Sequence, residues 1–354
     1  MSETASVPSF SVVSGAQVEQ VLTGGEHEIV QLVESTYRLH GAGETVNPPS
    51  YFLRFPDDPG SRIIALPAAV DGKAPVAGIK WISSFPANIS DGLPRASAVL
   101  ILNDRTTGYP FACLESSIIS ATRTAASAVL AAERLCPTAG RPRRIGYFGT
   151  GLIARYVHRY FVKTGWEFDE IGVHDLDADY SGAFAEHVRR AGGGPVTIRS
   201  SAEELLRSSD LVVFATTAGT PHVSDPDLFS GHPLVLHLSL RDLSPEVILS
   251  ARNIVDDVEH CLKAQTSVHL AEEVTGGRDF IDGTLVDVLN GTVARHSGDR
   301  TTVFSPFGLG VLDLAVGQYV HDALARSGRL QTVPDFFQEL RRYGDDVAPA
   351  RLPG

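Results

Sequence analysis

The sequence has few cysteines, no long apolar run and no excess of basic charge, and each absence excludes a class of protein. Three cysteines, widely separated at Cys113, Cys136 and Cys261, predict neither a disulfide framework nor a C-x-x-C metal site. No apolar segment approaches the roughly 20 residues that a membrane-spanning helix needs. The net charge of −12 argues against a nucleic-acid-binding surface, which would be basic. No basic segment followed by an apolar one opens the chain, so we expect a cytoplasmic protein.

The chain of 354 residues is longer than a typical domain with a single hydrophobic core, so two domains are expected. As far as about residue 115, strand patterns separated by short turns predict an antiparallel or mixed sheet. From Arg143 onward, short apolar strands alternate with helices, which is typical of a parallel sheet covered on both faces. A long helix rich in small residues joins the two patterns. A strand, an amphipathic helix and a mobile tail (344–354) are predicted to end the chain.

A glycine motif opens the alternating segment. Gly149 and Gly151 begin the hexapeptide GTGLIA, a G-x-G-x-x-A that stands between a predicted strand and a predicted helix. The next predicted strand ends in Asp175, whose carboxylate would accept hydrogen bonds from the adenosine ribose and repel a 2′-phosphate. This context predicts a Rossmann domain that binds NAD rather than NADP. The alternative is a glycine-rich turn that binds nothing.

Polar residues also follow later strands of the predicted parallel sheet. Thr216 and Ser239 come at the carboxyl ends of two such strands, the edge along which a dinucleotide lies. They are either cofactor contacts or ordinary loop residues.

Three charged residues stand in unusual surroundings. Lys80 lies in an apolar strand, where it either faces solvent or, if buried near a cofactor, binds a carboxylate or transfers a proton. Arg123 lies within a helix of small residues and resembles a carboxylate or phosphate clamp. Asp242 follows a buried strand and is either a general acid or base or the N-cap of the next helix. Arg54 and Arg95 are weaker carboxylate-binding candidates, and either could be a surface charge.

A metal site is not expected. The segment DDVEHC, from Asp256 to Cys261, holds three acids, a histidine and a cysteine, but its His and Cys are adjacent and would diverge on a strand. We interpret it as a solvated strand end near the cofactor edge.

Several segments together resemble the ornithine cyclodeaminase/mu-crystallin family. The segments GIKWIS, DGLPRASAVLILND, SIISATRTAASAVLAA, GTGLIA and SPFGLGVLD occur in the order and spacing of that family, over roughly residues 12–330. The resemblance implies an α/β fold in which a Rossmann NAD-binding domain (126–305) lies between two parts of an α+β substrate-binding and dimerisation domain (1–125 and 306–354). It also implies a homodimer.

The resemblance assigns expected roles to the candidate residues. Lys80 and Arg123 match positions that hold the substrate carboxylate near the nicotinamide, and Asp242 matches the family's catalytic acid. Arg54 lies near a further carboxylate-binding arginine. The expected NAD contacts are Leu152, Ile153, Asp175, Thr216, Ser239 and Phe307.

One departure from the family pattern narrows the expected activity. The cyclodeaminases carry a glutamate where this chain has Ile64, which argues against ornithine cyclisation. The motifs are most similar to dehydrogenases of 2,3-diaminopropionate biosynthesis, which serve siderophore and peptide-antibiotic pathways. Such enzymes oxidise N-(2-amino-2-carboxyethyl)-L-glutamate with NAD, and hydrolysis of the imine gives 2,3-diaminopropionate and 2-oxoglutarate. The alternatives are an ornithine cyclodeaminase, an alanine dehydrogenase, a ketimine reductase or a non-catalytic mu-crystallin-like binding protein.

Overall fold

The structure is a computed structural model that describes residues 8–72, 75–136 and 140–338. Within these ranges the strands form two sheets of eight. The strands of the first sheet are β1 (Phe10–Val13), β2 (Thr45–Val46), β3 (Tyr51–Phe55), β4 (Asp58–Val70), β5 (Val76–Ser84), β6 (Ala96–Asp104), β7 (Pro110–Glu115) and β16 (Gln331–Val333). Those of the second are β8 (Arg144–Phe148), β9 (Glu170–His174), β10 (Val196–Ile198), β11 (Leu211–Phe214), β12 (Leu234–His237), β13 (Arg252–Val255), β14 (Ile281–Thr284) and β15 (Thr302–Ser305).

The helices cover both sheets. They are α1 (Gly15–Leu22), α2 (Glu26–Gly41), α3 (Ser117–Leu135), α4 (Leu152–Lys163), α5 (Ala178–Ala191), α6 (Ala202–Ser208), α7 (Pro245–Ser250), α8 (Val258–Cys261), α9 (Ser267–Thr275), α10 (Leu285–Asn290) and α11 (Gly310–Arg326). Short 3-10 helices span Pro86–Asp91 and Pro226–Phe229. No helix among the described residues is long and apolar enough to cross a bilayer.

The second sheet has the predicted parallel architecture. Its order is β10-β9-β8-β11-β12-β15-β13-β14, and all its pairs are parallel. Each residue of β11 and β12 is buried, as expected for strands covered on both faces. The chain adds strands outward in one direction from β8 to β10 and in the opposite direction from β11 onward. The carboxyl ends of β8 and β11 therefore form the crevice in which such sheets bind ligands. The predicted α/β class with a Rossmann-type sheet is confirmed.

The first sheet is mixed, as the turn-separated strands predicted. β1 pairs in parallel with β7, and the other pairs are antiparallel. Its strands come from residues 10–115 and 331–333, whereas those of the second sheet come from 144–305. The domain boundaries given above remain a prediction.

The sequence-based assignment of elements was wrong at three places. β16 was missed, because three residues carry too short a pattern to recognise. α11 is not simply amphipathic: Leu312, Asp313 and Leu314 are all buried in succession, because the helix packs on β4, β5 and β6 and also on α2 and α3. The segment from Asp256 to Cys261 is not a solvated strand end, since Asp257 caps the short helix α8 and the two end residues of the segment are buried. The predicted tail (344–354) lies outside the described residues.

Candidate active site

Lys80 is a buried cation. It lies on β5, the side chain is 2% exposed, and Nζ donates to Asp313 Oδ2 at 2.6 Å and to Ser120 Oγ at 3.3 Å. The solvent-facing alternative for Lys80 is therefore wrong. Because α11 packs on this face of the sheet, it brings Asp313 to the lysine from the far end of the chain.

Asp313 holds two cations with one carboxylate. Its Oδ1 accepts a hydrogen bond from Arg123 Nε at 3.2 Å, and its side chain is fully buried. Burial lowers the pKa of Lys80 to about 8, and repulsion by Arg123 lowers it as well, although the Asp313 charge opposes both effects. When Lys80 and Arg123 are both protonated, the single carboxylate of Asp313 balances only one of the two positive charges. The trio of Lys80, Arg123 and Asp313 then keeps a net charge of one positive unit, which suits a carboxylate ligand.

The loop before α11 is shaped around Arg123. Gly308 has a φ of +93°, and a Cβ added there would lie 2.5 Å from Arg123 Nη1, so a side chain is excluded on both counts. The amides of Phe307 and Gly308 donate to the carboxylate of Asp256 at 2.9 and 2.7 Å. Burial raises the pKa of Asp256. The acid therefore anchors the loop, and through it the position of Arg123.

The glycine motif has the geometry that a dinucleotide needs. Gly149 has a φ of +78°, and a Cβ there would lie 2.7 Å from the Ala215 carbonyl oxygen. Gly151 is the N-cap of α4, and a Cβ there would have no atom within 4 Å, so the space above the helix N-terminus is open. Free N–H groups and the positive end of the helix dipole are thus accessible to a pyrophosphate.

Asp175 lies directly after β9 and beside this loop. Its Oδ2 accepts hydrogen bonds from the Thr150 amide at 2.9 Å and the Thr150 hydroxyl at 2.7 Å. The carboxylate is half-buried, while Leu152 is exposed and Ile153 half-buried at the start of α4. The structure therefore brings the predicted ribose-binding acid and the glycine motif to one edge of the sheet.

Asp242 is the centre of a buried polar network rather than an N-cap. Ser244 occupies the N-cap position of α7. The Asp242 carboxylate is fully buried and accepts hydrogen bonds from the hydroxyls of Thr216 and Ser239. It also accepts from His222 Nε2 at 3.0 Å and from His237 Nε2 at 3.2 Å.

These hydrogen-bond donors keep the carboxyl group of Asp242 ionised. Although burial opposes ionisation, the hydrogen bonds from His222, His237 and Ser239 outweigh it and hold the pKa of Asp242 well below its usual range. His222 is the solvent-accessible member, since its side chain is 41% exposed. Asp242 is therefore ionised near neutral pH, and its carboxylate is hydrogen-bonded to two imidazoles.

Phe307 lines a small pocket at the same edge. The pocket walls include His237, Ser239, Cys261 and Ser305. No hydrogen bond or ion pair joins Arg54 or Arg95 to Lys80, Arg123 or Asp242 among the described residues.

Sequence reasoning missed Asp313, Asp256, His222 and His237. A charged residue inside the apolar run GVLDLAVG was a signal for Asp313, because an acid in a buried helix needs a partner. The other three carry no local signal, since their roles depend on contacts made in the folded chain.

The fold and the site together define an α/β protein, in which the parallel second sheet carries the glycine motif at one edge and the mixed first sheet carries a buried cationic site. The chain belongs to the ornithine cyclodeaminase/mu-crystallin family, whose model matches residues 11–328. The family resemblance predicted from the motifs is thus confirmed, and the expectation of an NAD-dependent oxidoreductase agrees with it.

Similar proteins support the same fold. The N-((2S)-2-amino-2-carboxyethyl)-L-glutamate dehydrogenase of Staphylococcus aureus is 27% identical over 316 residues, which cover 86% of this chain and 93% of that protein. The Delta(1)-pyrroline-2-carboxylate reductase of Thermococcus litoralis, solved with NADH and L-proline, has a TM-score of 0.84 at 22% identity and covers 92% of this chain and 100% of that one. An archaeal alanine dehydrogenase dimer with bound NAD has a TM-score of 0.81 at 23% identity and covers 93% and 100%.

Proposed function

We propose that the chain is an NAD-dependent dehydrogenase that oxidises a secondary amine bearing several carboxylates. The observation that carries this proposal is the buried trio of Lys80, Arg123 and Asp313. Two cations share one carboxylate there, and the unbalanced positive charge suits the α-carboxylate of an amino-acid substrate.

The glycine edge fits NAD. The open space above Gly151 and the N-terminus of α4 suit a pyrophosphate, and Asp175 disfavours a 2′-phosphate. Leu152, Ile153, Thr216, Ser239 and Phe307 are the further residues that we propose as cofactor contacts. NAD, when bound, accepts the hydride.

Lys80 and Arg123 fix the position of the substrate. By holding its carboxylate from two directions, they orient the neighbouring Cα–H, and such orientation supplies a large part of the rate enhancement of many enzymes. Lys80 serves this purpose only in its protonated form. Asp313 preserves that form, since its charge raises the pKa of the lysine against the effect of burial.

The network around Asp242 handles the proton. The substrate amine must be neutral before a hydride leaves its neighbouring carbon, because the nitrogen lone pair stabilises the developing iminium. Asp242 itself is a weak base, since its pKa is held low. We assign proton uptake to His222, whose Nε2 is hydrogen-bonded to Asp242 and whose side chain reaches solvent. Asp242 then stabilises the imidazolium.

The proposed substrate is N-(2-amino-2-carboxyethyl)-L-glutamate. The chain's similarity to the Staphylococcus aureus dehydrogenase supports this choice, and so does Ile64, which offers no charge for the side-chain amine of ornithine. The substrate, NAD and water would give 2,3-diaminopropionate, 2-oxoglutarate, NADH and one proton. The product would enter siderophore or peptide natural-product biosynthesis.

We also propose a homodimer formed through the outer face of the first sheet. Tyr51, Trp81 and Val99 lie in one row across β3, β5 and β6, and all three side chains are exposed. Contiguous exposed apolar side chains mark interaction surfaces. Light scattering should give twice the chain mass, and a Trp81→Glu variant should give the monomer mass.

Incubation of the protein with NAD and the proposed substrate tests the function. We expect NADH and 2-oxoglutarate in equal amounts. Lys80→Ala and Asp242→Asn should abolish NADH formation while NAD still binds, whereas Lys163→Ala, which alters a lysine at the end of α4, should not. NADH formed only with alanine would instead indicate an alanine dehydrogenase, and ammonia released from ornithine without net NADH would indicate a cyclodeaminase. NAD binding without turnover of any amine would indicate a binding protein.

A further inference from the structure

Arginines line one end of the first sheet. Arg54 on β3 lies directly opposite Arg62 on β4, and Arg62 lies opposite Ser84 on β5. Arg95, just before β6, donates from Nη1 to Ser84 Oγ at 2.6 Å. Since residues directly opposite each other share a face of a sheet, Arg54 and Arg62 project to the same side, and Arg95 is tied to that row.

A fourth arginine comes from the loop after β12. Arg241 precedes Asp242 and donates from Nε to the Gln265 carbonyl at 2.8 Å, which fixes its side chain. The pKa of Arg62 is lowered, first by burial and then by repulsion from Arg241, Arg95 and Arg54. The guanidinium group of Arg62 is therefore close enough to the other three to be repelled by them. We call Arg54, Arg62, Arg95 and Arg241 the arginine cluster.

The cluster has no acidic partner. Among the described residues, no Asp or Glu oxygen lies within 4.0 Å of any of the four guanidinium groups, although most other arginines of these segments are paired. Arg62, Arg95 and Arg241 are each half-buried. Like charges held together and partly desolvated cost free energy, so an anion that neutralises them is strongly favoured.

The cluster shares a face with the buried lysine. In the strand register, Leu66 is opposite Lys80, Ile64 opposite Ile82, and Arg62 opposite Ser84. Four residues along the strand separate the row of Lys80 from the row of Arg62, which is about 13 Å between backbones at the usual strand rise. Long side chains at both ends shorten that gap, and the row between them is apolar. The face thus offers two cationic ends and an aliphatic floor.

We propose that the arginine cluster binds the distal carboxylates of the amine substrate, while Lys80 and Arg123 bind the carboxylate next to the oxidised carbon. The inference rests on the proposed function and adds a specificity site to it. A substrate with one carboxylate would leave the cluster uncompensated, so the enzyme selects amines that carry carboxylates at both ends. Ile64 and Ile82 contact the methylene groups between them.

Kinetics with paired substrates test the cluster. The pair is N-(2-amino-2-carboxyethyl)-L-glutamate and its analogue in which the carboxyl group of the aminocarboxyethyl arm is an amide. We expect the natural carboxylate to be preferred by about 10- to 100-fold in kcat/KM, since a charge-assisted contact is lost with the amide. Arg62→Gln should reduce this preference to within about threefold, mainly through KM. Arg105→Gln, which removes an exposed arginine that directly follows β6 and is paired with Asp71, should leave the preference unchanged.

Binding of a substrate-like anion gives a second readout that needs no turnover. Calorimetry of the protein with NADH should detect tricarballylate, a tricarboxylate that cannot be oxidised, and Arg62→Gln should weaken its binding at least tenfold relative to Arg105→Gln. Equal binding by both variants, or equal use of acid and amide substrates by the unaltered enzyme, would overturn the proposal. Tricarballylate binding that depends on Arg62 without oxidation of any amine would support the anion site and refute the proposed function.

Discussion

Replacement of Asp313 by asparagine is the sharpest test of the buried trio. The substitution keeps the shape of the side chain and removes the charge that Lys80 and Arg123 share. Both cations would then face each other in a buried site without compensation. We expect a large loss of stability together with a loss of substrate binding.

The expected magnitude follows from the two cations separately. The pKa of Lys80 falls from 10.5 in water to about 8 in the folded chain, so at roughly 1.4 kcal/mol per pKa unit its burial already costs about 3 kcal/mol at neutral pH. The unfolded lysine binds the proton more tightly, so this cost is complete below about pH 8 and disappears as the pH rises toward 10.5.

Without the Asp313 carboxylate, Lys80 can lose its proton, and this limits the loss of folding stability that its burial causes. Near pH 7.5, removing the proton from a lysine whose pKa in water is 10.5 costs about 4 kcal/mol. The burial of charged Lys80 already costs about 3 kcal/mol in the unaltered protein, so Lys80 adds only about 1 kcal/mol to the loss of stability in the variant. Arg123 has no such escape, because guanidinium groups stay protonated, and its unpaired charge adds about 2 kcal/mol or more. We therefore expect a total loss of about 3 kcal/mol, near the lower end of what breaking a buried ion pair costs.

Thermal unfolding measures this loss. For a domain of this size about 3 kcal/mol lowers Tm by roughly 6 to 12 °C. The matched control is Asp322→Asn on the same helix, whose carboxylate is 41% exposed and accepts from Gln318 Nε2 at 2.7 Å. That variant should lie within about 2 °C of the unaltered protein. An Asp313→Asn variant that unfolds at the temperature of the control would refute the view that one carboxylate stabilises both cations.

Three further predictions concern binding. The KM for the amine substrate should rise as the pH passes about 8, because Lys80 then loses the charge that holds the carboxylate; a KM that falls steadily across this range, measured by initial rates, would contradict that role. Asp175→Ala should weaken NAD and shift the ratio of kcat/KM for NADP to that for NAD by about tenfold or more, and an unchanged ratio would show that Asp175 does not select the cofactor. Gly308→Ala should raise KM and lower Tm more than Gly108→Ala. Both glycines have a positive φ, +93° and +77°, but only a Cβ at position 308 would lie against Arg123. Equal effects of the two substitutions would mean that backbone strain alone explains them, and that the contact with Arg123 does not matter.

The architecture of the second sheet could be predicted because its signals are local. Strands such as β11 and β12 are continuously apolar, and the glycine motif falls between β8 and α4, where the turn requires it. In each case the residues that determine the element lie within a few positions of one another.

The candidate site was only half predictable, for a physical reason. Lys80 and Arg123 were recognised because charges in apolar surroundings are costly, and that cost is visible in the sequence. Their shared partner lies 190 or more positions away on α11, so its identity depends on how that helix packs. The grouping of the four arginines could not be predicted for the same reason, since strand register and the loop at Arg241 bring them together only in the folded chain.

The charge balance on the inner face of the first sheet favours a binding role over a structural one. Replacing a buried ion pair with packed apolar residues is often neutral or stabilising, so stability alone does not explain why Lys80, Arg123 and Asp313 are buried together. Nor does it explain why Arg54, Arg62, Arg95 and Arg241 gather near the other end of this face without an acidic partner in the part of the chain that the structure describes. Both costs are recovered when an anion with several carboxylates occupies the site. We therefore propose that the excess of positive charge on this face, in a chain whose net charge is −12, is the complement of an anionic substrate.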